Sequence, residues 1–332
     1  MARIFPVVFA VAALAATAES APLGLVLSGG GAKGAYEVGV WQELEAAGLA
    51  PRVKAISGTS VGALNAALFA SRPDAAETLW LENMKDVFTL STNRFGKTVQ
   101  KTVDTVADSV QIAEETGKKW KGVGHFFLSM GLRVVGDVID ATVTDAEREG
   151  FIDSSHLATA LDTSLPADWP ADAPAVYATA MQKNTWTAKT WKLNGEPHER
   201  RVLMIRASTA IPEGFDTVSI DGNTYVDGGW EGKGGDNLPI KPVLDNHPEI
   251  KTVVVVHLDD AEHLSVARRD RVRNAAAAAG VSLVEIVPSE NIGHGWNGWQ
   301  GVFDASPETA KHLIELGRKD AREKLREAGL VD

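Results

Sequence analysis

A serine between two glycines has the residue types and spacing of an activated nucleophile. The segment Gly58-Thr59-Ser60-Val61-Gly62 fits the pattern G-x-S-x-G and lies between a predicted strand and a predicted helix. That setting is typical of a nucleophile elbow, in which Gly58 and Gly62 avoid Cβ collisions and the helix N-terminus favours developing negative charge. We therefore predict Ser60 as a catalytic nucleophile; the alternative is that it only caps the helix.

A second glycine-rich segment, Gly29-Gly30-Gly31-Ala32-Lys33-Gly34, also joins a predicted strand to a predicted helix. Successive glycines let several backbone amides point at one spot, which creates an anion-binding nest. In acyl transfer such donors form an oxyanion hole for the tetrahedral intermediate. We predict that Gly29, Gly30 and Gly31 form this hole, with the positive charge of Lys33 nearby.

The same glycine segment also satisfies G-x-G-x-x-G, so a dinucleotide site has to be considered. That motif requires an acidic residue about 20 positions later, at the end of the second strand. The second strand here ends in Ile56-Ser57-Gly58-Thr59, which contains no acid. A phosphate-binding Walker loop is excluded as well, because Lys33 is followed by glycine rather than serine or threonine.

A hydroxyl nucleophile needs a general base, and the sequence offers two kinds. One is Asp227, which ends a short predicted strand and precedes Gly228-Gly229. The other is a histidine of a Ser–His–Asp triad, for which His257 and His294 are the candidates. A triad is recognised by geometry, so the residues alone leave both arrangements open.

The composition excludes several classes of protein. The chain has 332 residues, of which 44% are hydrophobic, and a formal net charge of −11. So acidic a chain is repelled by nucleic acid, and we expect no nucleic-acid partner. Cysteine is absent, which excludes disulfides and thiolate metal sites. The acidic residues show no calcium-loop spacing, so we expect neither metal nor cofactor, and no stable protein partner is implied.

The N-terminus has the layout of an export signal. Arg3 precedes an uncharged apolar run from residue 4 to 16, and Ala16-Thr17-Ala18 supplies small residues for cleavage. The apolar run is too short to cross a bilayer as a helix. We predict a signal peptide at residues 1–18 and an exported protein, periplasmic or secreted.

The residues that could carry chemistry need a scaffold, and the pattern predicts an α/β one. The predicted strands and helices alternate over much of residues 19–332, which we interpret as one domain with a parallel sheet. Residues 85–165 show helical patterns without a strand signal, and we predict a helical cap insertion there. Strands are predicted at 23–28, 53–56, 176–182, 185–193, 252–258 and 282–287, with two more short strands around the 221–223 turn of residues 217–227. Helices are predicted at 35–47, 61–70, 200–207, 266–279 and 307–327.

Together these segments resemble the patatin-like phospholipase family, of the exported bacterial type. Besides the glycine loop, the elbow and Asp227-Gly228-Gly229, the stretches 207–215 (ASTAIPEGF) and 236–240 (DNLPI) match in order. The resemblance implies a three-layer α/β/α fold with a mainly parallel central sheet. It also implies a Ser60–Asp227 dyad without histidine. Residues 230–235 lengthen the loop after Asp227-Gly228-Gly229 and depart from the family pattern.

The resemblance also implies a substrate. We expect hydrolysis of acyl ester bonds of phospholipids or lysophospholipids, ahead of neutral glycerides, at a membrane surface. The glycine-loop amides would hold the oxyanion, and Lys33 stands where the family carries a basic residue. A lipid-binding or storage protein of the same fold without turnover is the alternative outside enzymology.

Overall fold

The computed structural model describes residues 21–88, 152–212, 214–293 and 300–332. In these ranges eight strands form one sheet at the centre of the molecule. They are β1 (Leu23–Leu27), β2 (Val53–Thr59), β3 (Ala175–Gln182), β4 (Thr187–Lys192), β5 (Val218–Ile220), β6 (Asn223–Asp227), β7 (Thr252–Val256) and β8 (Ser282–Ile286). Each predicted strand is present, and β2 continues three residues further than predicted, up to the residue before Ser60.

The helices in the described ranges lie between the strands and after the last strand. They are α1 (Ala35–Ala46), α2 (Val61–Ser71), α3 (Pro73–Thr78), α4 (Met84–Val87), α5 (Ser154–Ser164), α6 (His198–Ser208), α7 (Lys241–Asn246), α8 (Val266–Ala279), α9 (Gln300–Phe303) and α10 (Pro307–Glu327). Among them, none has the length and apolar character that a membrane span requires.

Local sequence signals explain where the longer helices begin and end. The Ser265 hydroxyl accepts a hydrogen bond from the Arg268 amide and caps α8, which ends at Gly280 in the left-handed conformation. Ser306 caps α10 in the same way, and Pro307 occupies the first turn, where its missing N–H costs nothing.

The sheet has a parallel centre and an antiparallel end. The strand order is β5-β6-β3-β2-β1-β7-β8, and β4 pairs with β3. β3, β2, β1, β7 and β8 run parallel to their neighbours in this order, whereas β4, β5 and β6 form the antiparallel pairs. The predicted mainly parallel central sheet is therefore confirmed. Both faces of the central strands are covered, which explains the uninterrupted valines of β7.

Two hydrophobic cores, one on each face of the sheet, give the predicted three layers. The larger contains Leu25, Ile56 and Val254, together with side chains of α1, α2, α6 and α10. The smaller contains the alternate strand residues Val26 and Val255, which pack against α7 and α8. Alternation of side chains between the two faces of a strand produces this division.

Several predictions concern residues outside the described ranges. The signal peptide at 1–18 and His294 are two of them, and so are residues 89–151 of the predicted cap insertion. The described ends of that insertion are helical, because α4 ends at Val87 and α5 spans Ser154–Ser164.

Candidate active site

Ser60 is the single residue between the end of β2 and the start of α2. Its backbone has φ 56° and ψ −127°, a region that costs a non-glycine residue roughly 1–3 kcal/mol. The residue is 3% exposed. The turn thus holds a buried serine in a strained conformation at a helix N-terminus, as a nucleophile elbow does.

Close backbone contacts explain the two glycines of the elbow. A Cβ atom added to Gly62 would lie 2.6 Å from the carbonyl oxygen of Leu27, and one added to Gly58 would collide with the carbonyl oxygen of Gly62. The start of α2 therefore packs directly on the end of β1. No larger residue fits at either position without moving the backbone.

β3 brings Asp227 next to the elbow. Thr179 of β3 pairs with Thr59 of β2, and the next residue, Ala180, pairs with Asp227 of β6. β4 occupies the opposite edge of β3 at both positions. The carboxyl ends of β2 and β6 therefore meet along one edge of β3. Residues 60 and 227 are brought together by this meeting of two strands.

The Asp227 carboxylate is buried, with 6% of the residue exposed. It accepts a hydrogen bond of 2.7 Å from the Gly229 amide. Burial raises the pKa of Asp227 from 3.8 to about 6, although hydrogen bonds from the Ser60 hydroxyl and the Gly229 amide act in the opposite direction. A carboxylate with a pKa near 6 is ionised at neutral pH and is a stronger base than an ordinary aspartate.

The glycine loop lies beside Ser60. A Cβ atom added to Gly29 would be 3.1 Å from the Ser60 Cβ, and Gly31 lines the same pocket as Ser60. The Gly29 amide donates to Asn237 Oδ1 at 3.0 Å, so it is already paired. Among the described residues, the amides of Gly30 and Gly31 have no hydrogen-bond acceptor. The predicted set of amide donors is thereby narrowed to these two.

The Lys33 ammonium contacts a carboxylate rather than the site. It lies 3.1 Å from Asp259 and is 5% exposed. Asp259 also binds Arg268 of α8 at 2.8 Å. The positive charge that the sequence places near the glycine loop is therefore neutralised in a buried ion pair, and Lys33 anchors the loop to the end of β7.

Sequence reasoning missed two side chains that hold the site together and one further amide donor. The Ser208 hydroxyl accepts from the Ser60 amide at 2.8 Å and donates to the Thr179 carbonyl at 2.6 Å. Asn237 Nδ2 donates to the Ser28 hydroxyl and to the Gly29 carbonyl. The Val61 amide, which follows the nucleophile, has no acceptor in the described residues. Ser208 and Asn237 lie in the 207–215 and 236–240 segments, so those motifs were the available signal.

The histidine alternatives are not brought to the site. His257 follows β7, and its ring lies 3.3 Å from Glu285 of β8, which is the neighbour of β7 on the side away from β1. In the described part of the chain, no histidine is hydrogen-bonded to Ser60 or Asp227. The same part contains no cluster of histidine and acidic side chains that could hold a metal ion.

An apolar pocket adjoins Ser60. It is narrow, with a free volume of about 10 Å³, roughly what one water molecule requires. Its lining comes from the glycine loop, the elbow, α4, α5 and the segment after α6: Gly31, Ser60, Val61, Leu64, Met84, Val87, Phe88, Leu157, Thr209, Ile211 and Phe215. Such a lining suits a hydrocarbon chain and offers little to a charged group.

A strained serine at a strand–helix elbow, next to a buried carboxylate and unpaired loop amides, is the arrangement of α/β hydrolases that act through a serine. The chain belongs to the patatin-like phospholipase family, whose model matches residues 25–249. The match includes the glycine loop, the elbow, Asp227 and Asn237. The protein is therefore a member of a family of lipid acyl hydrolases.

The matches to individual proteins are either short or of low sequence identity. A stretch of 52 residues, 16% of this chain, is 52% identical to lysophospholipase nte1 of Aspergillus terreus but spans 3% of that protein. The fold is similar to VipD from Legionella pneumophila, with 14% identity and a TM-score of 0.45 over 93% of this chain and 67% of that one. It is also similar to human GIVD cytosolic phospholipase A2, with 11% identity and a TM-score of 0.46 over 94% and 58%. The family assignment rests on the family match alone.

Proposed function

We propose that this protein hydrolyses acyl ester bonds of phospholipids or lysophospholipids through a Ser60–Asp227 dyad. The observation that carries the proposal is the meeting of β2 and β6 along β3, which sets the Ser60 hydroxyl against a buried carboxylate. Neutral glycerides are the less favoured substrates. No cofactor takes part in the proposed reaction.

In the first half of the reaction, Asp227 accepts the proton of the Ser60 hydroxyl as the serine oxygen attacks the ester carbonyl. The carbonyl oxygen becomes negatively charged and is stabilised by amides of Gly30 and Gly31, with that of Val61 as a further donor. Collapse of the intermediate breaks the ester bond, and Asp227 returns the proton to the leaving alcohol. An acyl ester of Ser60 remains.

In the second half, water replaces the alcohol. Asp227, again ionised, accepts a proton from the water as it attacks the acyl-Ser60 carbonyl. The serine regains its proton when the fatty acid leaves. Both halves use the same base and the same amides, so the loss of one group impairs each of them.

The pocket beside Ser60 favours a lipid substrate over a small polar ester. Apart from Ser60 and Thr209 its side chains are apolar, and Phe88 packs edge-to-face against Phe215 with ring centroids 6.1 Å apart. An acyl chain that opened this narrow pocket would leave the headgroup outside it. This placement is consistent with hydrolysis that depends on the acyl chain more than on the headgroup.

The proposal is tested by fatty acid release and by covalent labelling. Protein lacking residues 1–18 is assayed on a phospholipid, a lysophospholipid and a triglyceride, and is treated with an organophosphonate. We expect release from the first two substrates and a single label on Ser60. The Ser60→Ala variant is expected to lose both, whereas Ser219→Ala, an exposed serine of β5, is expected to keep both.

Two results would contradict the proposal. Retained hydrolysis in Ser60→Ala would show that another residue is the nucleophile. Tight binding of lipid with no measurable hydrolysis would favour a binding or storage protein. A triad enzyme predicts a third pattern, in which replacement of His257 or His294 abolishes labelling and Asp227→Asn preserves it.

We further propose that the protein acts after export, in the periplasm or outside the cell. The support is the N-terminal pattern of Arg3, the apolar run at residues 4–16 and Ala16-Thr17-Ala18. N-terminal sequencing of protein from an exporting host is expected to begin at residue 19. A mature chain that still begins at residue 1 would contradict this.

A further inference from the structure

An exposed apolar patch lies at the end of the sheet that carries Ser60. In the described ranges, three large apolar side chains are exposed, Trp186 at 42%, Trp230 at 38% and Val266 at 73%. Single exposed apolar residues are ordinary, but exposed tryptophans that share one surface mark an interaction site.

Contacts of the loop at residues 230–235 bring the three together. A Cβ atom added to Gly234 would collide with the carbonyl oxygen of Trp186, so the tip of the β3–β4 hairpin touches this loop. Glu231 of the same loop binds Arg268 at 2.8 Å, two residues after Val266 in the first turn of α8. Trp230 is the first residue of the loop. The hairpin tip, the loop and the start of α8 thus form one surface.

The backbone conformation of Trp186 is energetically unfavourable. It has φ 53°, a conformation that glycine or asparagine adopts easily and a bulky side chain rarely does. Nothing in the core requires an indole there, because the residue is exposed. Trp186 is also the residue over which the Lys233 ammonium lies, 5.7 Å from the ring centroid. A strained, exposed tryptophan paired with a lysine indicates a surface selected for a partner.

The chemistry of the patch fits a bilayer surface. Tryptophan is enriched at membrane–water interfaces, where its apolar ring and N–H both find partners, and lysine reaches from there to the headgroups. The net charge of −11 disfavours strongly anionic bilayers, so a zwitterionic surface is the better match.

We propose that Trp186, Trp230 and Lys233 dock this protein on a zwitterionic lipid surface. The inference rests on the proposed function, because it names the surface through which the lipid hydrolase would reach its substrate. β3 runs parallel to β2, so the hairpin after β3 extends beyond the end of β2 that carries Ser60. Docking there brings the bilayer to the end of the sheet where the site lies.

The absence of cysteine permits a position-specific test. Thr185, exposed beside Trp186, is replaced in the full chain by Thr185→Cys, and Lys251, exposed at the amino end of β7, by Lys251→Cys as the matched control. Each variant carries Ser60→Ala so that lipid stays intact, and is labelled with an environment-sensitive fluorophore. Phosphatidylcholine vesicles are expected to blue-shift the emission at position 185 and leave that at 251 unchanged.

The tryptophans are then removed. Trp186→Ser with Trp230→Ser is expected to abolish the response at position 185. In protein that retains Ser60, this double variant should hydrolyse phosphatidylcholine vesicles about tenfold more slowly or worse, yet hydrolyse a soluble short-chain ester at the original rate. Thermal unfolding of the double variant, compared with the parent, checks that the fold is intact.

The outcomes separate the two proposals. A response at both positions, at neither, or one that survives the double substitution overturns the docking surface. A change of oligomeric state in the double variant with unchanged vesicle response assigns the patch to self-association and also overturns it. A response at position 185 alone, with no hydrolysis of any ester by the parent, upholds the docking surface while the proposed function fails.

Discussion

The nucleophile and the glycine loop are neighbours, yet different kinds of interaction hold them. The elbow is fixed by hydrogen bonds between uncharged buried groups, as in the pair from the Ser60 amide to the Ser208 hydroxyl. The glycine loop is fixed by Asn237 and also by an ion-pair chain that reaches the surface. That chain runs from Lys33 through Asp259, Arg268, Glu231 and Arg271 to Asp236.

The difference matters because the two kinds of interaction respond differently to conditions. A buried neutral hydrogen bond is insensitive to salt, and leaving one partner unpaired costs about 1–3 kcal/mol. Ion pairs near the surface are weaker and are screened by salt. We therefore expect a rigid nucleophile and a glycine loop that responds to salt in part, through the outer pairs of Arg271 with Glu231 and Asp236. Substitutions in the elbow and in the ion-pair chain test this.

Asp227→Asn is expected to have the largest effect on activity, a loss of about 10³-fold, because the proposed general base is removed. Wild-type kcat/KM should rise with pH around a midpoint near 6, since the carboxylate must be ionised and its pKa is about 6. Steady-state rates between pH 4.5 and 8 measure both. A flat profile in the wild type, or a similar rise in Asp227→Asn, would contradict the assignment.

The same substitution is expected to stabilise the fold at neutral pH. A folded pKa raised from 3.8 to about 6 means that ionisation of Asp227 destabilises the folded state, by about 3 kcal/mol at 1.36 kcal/mol per pH unit. The stabilisation that comes from protonated Asp227 is therefore fully present below pH 4 and is lost as the pH rises through 6. Urea unfolding should therefore show Asp227→Asn more stable than wild type at pH 7.5, with the difference vanishing near pH 4.

Gly62→Ala tests the rigidity of the elbow. Its Cβ would lie 2.6 Å from the Leu27 carbonyl oxygen, and backbone contacts of this kind cannot relax by side-chain rotation. We expect a loss of about 3 kcal/mol in the free energy of unfolding. Gly232→Ala is the matched control, because no atom lies within 4 Å of its added Cβ. Equal stability of the two variants would refute the close contact between α2 and β1.

The elements and the elbow could be predicted from sequence because their signals are local. Strand–glycine–helix order and the pentapeptide around Ser60 are read within about 40 residues. The partners of the glycine loop could not be predicted. Gly29 and Asn237 are 208 positions apart, and Lys33 and Asp259 are 226 apart. Only the sheet order, which brings β7 beside β1, makes these pairs neighbours.

The exposure of individual side chains could not be predicted from the sequence either. The structure shows Trp186 and Trp230 exposed, although each stands in a segment that reads as an ordinary hairpin or loop. The strain at Trp186 arises from its place in the turn after β3, where the amide of Trp186 donates to the Gln182 carbonyl. Residue type alone does not report the backbone conformation that makes this tryptophan unusual.

Ser208→Ala removes the hydroxyl that links the elbow to β3. The Ser60 amide and the Thr179 carbonyl would both lose their partner, so we expect stability to fall by about 1–3 kcal/mol. Because Ser60 would then sit less firmly in its strained conformation, organophosphonate labelling should slow about tenfold. Ser219→Ala should change neither quantity. Unaltered labelling in Ser208→Ala would mean that the strand contacts alone position Ser60.

Arg268→Gln is expected to have the smallest effect, and one that salt can mimic. It removes the two partly buried ion pairs of Arg268 with Asp259 and Glu231. We expect the free energy of unfolding to fall by about 1 kcal/mol, and kcat to fall several-fold with little change in KM. Raising the salt from 0.05 to 0.5 M, which screens the outer Arg271 pairs more than the Arg268 pairs, should slow the wild type slightly and hardly affect the variant.

Arg273→Gln, on the same helix, is the control for Arg268→Gln, because Arg273 binds Glu285, which keeps its contact with Arg269. That variant should keep both the wild-type rate and its salt response. If Arg268→Gln behaved in the same way, the ion pairs would not position the glycine loop, and Asn237 alone would hold it. Neutral hydrogen bonds would then fix both halves of the site, and the contrast between them would disappear.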